Sequence, residues 1–108
     1  MSINLTATAN NLSWGQLFTG TLTIKSDNEI TVCPGVSNFN NINTLIIEDN
    51  FTSLGGTVGG NSGLVNLIFK SIIPPTISNA NYINTLPKTA YIYVPDSSLN
   101  AYKTATLS

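Results

Sequence analysis

The chain has no histidine and no arginine, and only one cysteine, one methionine and one tryptophan among 108 residues. Without imidazole there are no histidine metal ligands, no general base titrating near neutrality and none of the common Ser-His arrangements. With a single thiol, Cys33, no internal disulfide can form. Charge is scarce too: four Lys and five Asp or Glu make up 8% of the residues and leave a net charge of −1, against about 25% charged in ordinary soluble domains. Four lysines give the counterion release behind nucleic-acid binding almost nothing to act through, so nucleic acid is not an expected partner. No polybasic cluster serves a lipid surface, and no apolar run approaches the ~20 residues that span a bilayer, so membrane insertion is not expected either. The opening MSINLTATANNLSWG lacks the basic segment and apolar core of a secretory leader, which points away from the ordinary secretion route.

What is present is an apolar fraction of 42%, normal for a folded protein, with polarity supplied by 15 Asn, 14 Thr and 11 Ser. The length fits a single domain, residues 1–108, with a modest core. Cys33 reads as a small buried hydrophobe on a strand.

The chain also repeats. Aligning GTLTIKS, NTLIIED, NLIFKS and YIYVP places Leu22, Leu45, Leu67 and Ile92 in one column, at spacings of 23, 22 and 25 residues. In each unit the residue two further on is apolar as well: Ile24, Ile47, Phe69 and Val94. Period-two alternation puts both columns on one side of a strand. A second apolar group follows each strand: Ile30 and Val32, then Phe51 and Leu54, then Ile72, Ile73 and Ile77. A unit of this kind cannot bury its apolar face alone and must stack on its neighbours. Asp27-Asn28, Pro34-Gly35, Gly55-Gly56, Gly59-Gly60 and Ser62-Gly63 supply corners. The Asn-rich run from Asn38 to Asn43 is expected to turn side-chain amides into a corner, where they satisfy backbone groups.

FTSLGGTVGGNSGLVNLIF, residues 51–69, resembles one unit of the BspA-like leucine-rich repeats of bacterial surface proteins, of the Treponema and Bacteroides type. That family reads approximately V-T-S-I-G, a turn of small residues, C-S-G-L, then a strand. Ser62-Gly63-Leu64 and the Leu67 strand match it, with Asn61 where the family often has Cys. IIPPTISNANYINTLPKTAYIYVPDSSLNAYKTA is similar to the segment that closes many such arrays. The resemblance covers roughly residues 20–105 and implies a mainly β fold: a short right-handed leucine-rich-repeat-like solenoid of about three coils. The expected layout is an N-terminal cap over 1–19, repeat coils over 20–94 and a C-terminal cap over 95–108. Pro95 would end the last strand, Asp96 or Ser97 would cap a short helix, and that helix would lay Leu99 and Tyr102 over the open end. At the other end INLTAT, Trp14, Leu17 and Phe18 would form the first cap, with Asn10 or Asn11 opening a helical turn.

The same chain offers few groups suited to catalysis. The carboxylates Asp27, Glu29, Glu48, Asp49 and Asp96 form no pair suited to acid-base work, since Glu48 and Asp49 are adjacent and should point to opposite sides of a strand. No spacing suggests Ca²⁺ or Zn²⁺. GGTVGGNSG lacks the Lys-Ser/Thr of a phosphate-binding loop and reads as a corner. The sequons at Asn4, Asn11 and Asn50 carry little weight in a chain so rich in Asn and Thr. The expectation is therefore a protein that is not an enzyme, with no catalytic residue, no metal and no cofactor.

One pattern suggests contact with another molecule. Residues alternating with the core columns form two outward rows, Thr21, Thr44, Asn66, Tyr91 and Thr23, Ile46, Ile68, Tyr93, flanked by Lys25, Glu48 and Lys70. Thr23, Ile46, Ile68, Tyr91 and Tyr93 are the candidate binding residues, forming an exposed apolar stripe of the kind that marks a contact surface. The expected partners are proteins, either further copies of the chain or subunits of a capsid or surface assembly. The expected setting is a bacteriophage virion surface, as a capsid decoration or fibre element. A bacterial cell-surface adhesion or protein-binding module is the alternative, and a glycan stacked on Trp14, Tyr82, Tyr91, Tyr93 or Tyr102 is a third reading.

Overall fold

The computed structural model describes residues 2–5, 11–12, 19–26, 30–36, 41–58, 63–79, 81–84 and 86–105. In chain order these form β1 (Ser2–Leu5), β2 (Asn11–Leu12), β3 (Gly20–Ser26), β4 (Val32–Cys33), β5 (Gly35–Val36), β6 (Ile42–Ile47) and β7 (Ser53–Leu54). They continue with β8 (Asn66–Phe69), β9 (Thr76–Ile77), a four-residue helix α1 (Asn81–Asn84), β10 (Tyr91–Tyr93) and a closing helix α2 (Leu99–Ala105). Strands dominate and helix is minor.

The strands assemble into three parallel sheets, ordered β1-β3-β6-β8-β10, β2-β5 and β4-β7-β9. Every pairing among them is parallel. Among the described residues only β3, β4 and β5 visit all three sheets in one passage; β1 is followed by the β2-β5 sheet, and β6 and β8 by the β4-β7-β9 sheet, each strand of the main sheet pairing with the strand of that sheet before it. The cross-links follow the same step. Backbone N–H groups of Glu48, Thr52, Gly55, Val65, Lys70, Thr76 and Tyr91 donate to carbonyls of Ile24, Thr31, Cys33, Asn43, Ile47, Thr52 and Val65. Side-chain bonds between passages join residues 21 to 31 positions apart.

The core columns fall where alternation puts them. Leu22 pairs with Leu45, Leu45 with Leu67 and Leu67 with Ile92, while Ile24 pairs with Ile47 and Ile47 with Phe69. Leu22, Ile24, Leu45, Ile47, Leu67 and Phe69 are all buried. Removing each such side chain from water contributes about 1.5–3 kcal/mol, so these two columns form much of the core. Cys33, Leu54 and the half-buried Ile77 make a third column on β4, β7 and β9. Val36 and Val58 fill the remaining corner, with Val58 N–H donating to the Tyr82 carbonyl of α1 at 2.9 Å.

Two glycines have conformational reasons. Gly20 has φ of 79°, in the left-handed region, and opens β3 where the pairing with β6 shifts register. At Gly55 a Cβ would stand 2.7 Å from Val32 Cγ1 and 3.3 Å from the Cys33 carbonyl oxygen, because its N–H bonds that carbonyl at 2.7 Å.

Several expectations are corrected. Val32, grouped with the second set of apolar residues, is exposed, while its neighbour Cys33 is buried as expected, since neighbours on a strand face opposite ways. Ile72 and Ile73 are 68% and 77% exposed rather than buried. Asn11 opens the short strand β2 against Gly35, not a helical turn. The stretch expected as a cap contributes β1 to the main sheet, Ile3 pairing with Ile24; Asn10, Trp14, Leu17 and Phe18 lie outside the described residues. Asn41 and Asn43 are exposed rather than turned into a corner; Asn38 and Asn40 lie outside the described residues. A turn of 3-10 helix over Asp96–Ser98 follows Pro95, and neither Asp96 nor Ser97 caps it with a side-chain bond.

Candidate functional site

The outward rows are in register. Thr21 pairs with Thr44, Thr44 with Asn66 and Asn66 with Tyr91; beside them Thr23 pairs with Ile46, Ile46 with Ile68 and Ile68 with Tyr93. Parallel neighbours stand about 4.8 Å apart, so the second row is a continuous strip from β3 to the edge strand β10. β1 adds Ser2 beside Thr23.

The five candidate residues do not share one exposure. Tyr91 and Tyr93 are 64% and 49% exposed, whereas Thr23, Ile46 and Ile68 are half-buried. The strip is thus not the exposed stripe that was expected: each central Ile is shaded by row neighbours on both sides, while β10 has a neighbour on one side only. Tyr91 and Tyr93, two residues apart on one face, bring their ring centroids to 6.3 Å with planes inclined at 45°. The upper row is polar and internally bonded. Asn66 Nδ2 donates to Thr44 Oγ1 at 3.1 Å, and Thr44 Oγ1 donates to Asn43 Oδ1 at 2.9 Å.

At the β10 end the strip opens into a shallow pocket of about 190 Å³ lined by Ile68, Phe69, Lys70, Tyr93, Val94 and Pro95. Alternation identified Ile68 and Tyr93. It could not find Val94 and Pro95, which line the pocket because the chain leaves β10 here.

The closing helix is fixed below this pocket. Tyr102 is buried against Phe69, ring centroids 5.5 Å apart, and its hydroxyl donates to the Ser71 carbonyl at 2.7 Å. Burial pushes the Tyr102 hydroxyl pKa up to about 12. Ser98 Oγ donates to the Ile72 carbonyl at 2.6 Å. Tyr102 therefore lies over the core as the closing segment was expected to, while Leu99 stays 48% exposed.

Cys33 is fully buried and its thiol pKa is pushed up to about 12 by that burial, so little reactive thiolate forms near neutrality. Among the described residues no group of three or more His, Cys, Asp or Glu could hold a metal ion. No helix among them is long and apolar enough to cross a membrane. Glu48 is half-buried, Asp49 and Asp96 are exposed, and Asp27 and Glu29 lie outside the described residues.

No protein family, no curated protein and no solved structure matches the chain.

Proposed function

We propose that this chain is a short leucine-rich-repeat-like solenoid of about three coils, acting as a non-catalytic structural or binding component of a surface assembly. Each passage from one strand of the main sheet to the next is one coil in this reading, the BspA-like unit being the one that runs through β7 and β8. The outward face of the main sheet is its contact surface, carried by Thr23, Ile46, Ile68, Tyr91 and Tyr93. The observation behind this is the in-register row from Thr23 to Tyr93, which ends in two exposed tyrosines beside an apolar pocket. Tyrosine supplies large contact area at low conformational cost and is enriched in contact surfaces. A surface with few charges also suits close packing against like subunits, because little charge has to be desolvated.

Of such assemblies we favour a virion decoration or fibre element. In the alternative, a bacterial adhesion module, the same face takes a foreign protein. The Tyr91–Tyr93 pair supports a glycan reading of that module, since tilted neighbouring rings offer stacking faces to a sugar. Sedimentation of the purified chain beside a variant carrying Ile46→Ser, Ile68→Ser and Tyr93→Ser separates these readings. An oligomer lost in the variant supports assembly through the face. A parent and variant that stay assembled alike would refute that role for it.

A further inference from the structure

No further inference is drawn: the strongest candidate, the exposed apolar patch of Ile72 and Ile73 on the loop that follows β8, carries nothing further because nothing in the structure shows what covers it.

Discussion

Asn50 donates its side-chain amide to both the carbonyl and the hydroxyl of Ser26, 24 residues earlier in the chain. Ser26 Oγ in turn donates to the Ile30 carbonyl at 2.7 Å. One amide thus ties two successive passages at the corner that follows β3 and β6. It also uses the nitrogen that a glycan would occupy on the sequon Asn50-Phe51-Thr52. Replacing Asn50 by Ala should cost about 1–3 kcal/mol, because a part-buried carbonyl and hydroxyl lose their donor; Asn50→Asp should be at least as costly, putting a carboxylate against the carbonyl. Urea denaturation of both variants measures this, and a cost below ~0.5 kcal/mol would remove the corner role.

The closing helix makes a graded prediction. Tyr102→Phe keeps the ring on Phe69 and loses only the bond to the Ser71 carbonyl, a cost of about 1 kcal/mol. Tyr102→Ala empties the site and should cost about 3–5 kcal/mol. Equal, small effects in thermal melts of the two variants would show that α2 does not cover the core.

Much of the fold was legible in the sequence because alternation is a strong signal on strands buried on one face. The columns of Leu22 and Ile24, and the outward rows down to Tyr91 and Tyr93, follow from spacing alone. The reading failed where period two met a corner. Cys33 was read correctly as buried, but Val32 was grouped with the apolar residues that follow each strand although it faces out, because β4 has two residues, too few to set a phase. Ile72 and Ile73 looked like core because adjacent isoleucines usually are, and the bonds from Ser98 and Tyr102 that hold them out come from 26 and 31 residues away. β1 escaped notice because INLTAT pairs through Ile3 with Ile24, while the core column was anchored one position pair earlier, on Leu22.

The phase of β4 is testable by substitution. Val32→Ser, on the exposed side, should change stability by no more than about 0.5 kcal/mol. Cys33→Ser places a hydroxyl among Leu54 and other buried groups and should cost about 1–3 kcal/mol. The reverse order in chemical denaturation would put Val32 in the core.

Stability should also fall in alkali. Cys33 and Tyr102 are both held in the protonated form by burial, with folded pKa values of about 12 against ordinary values of 9.0 and 10.0. Between these limits the unfolded chain binds fewer protons than the folded one, so stability is complete below about pH 9 and declines toward pH 12. Each group can contribute up to ~1.4 kcal/mol per pH unit. Melting temperatures followed from pH 8 to pH 11.5 should drop less steeply for Cys33→Ala than for the parent. Parallel slopes would show that Cys33 ionises equally easily in both states.

The proposed contact surface depends on one row of residues lying in register, and methyl and aromatic nuclear Overhauser contacts measure that directly. With neighbouring strands about 4.8 Å apart and next neighbours twice as far, cross-peaks are expected for Leu22–Leu45, Leu45–Leu67, Ile46–Ile68 and Ile68–Tyr93, with none for Leu22–Leu67. A direct Leu22–Leu67 contact, or the absence of Ile46–Ile68, would contradict the stacked parallel order and with it the continuous outward row.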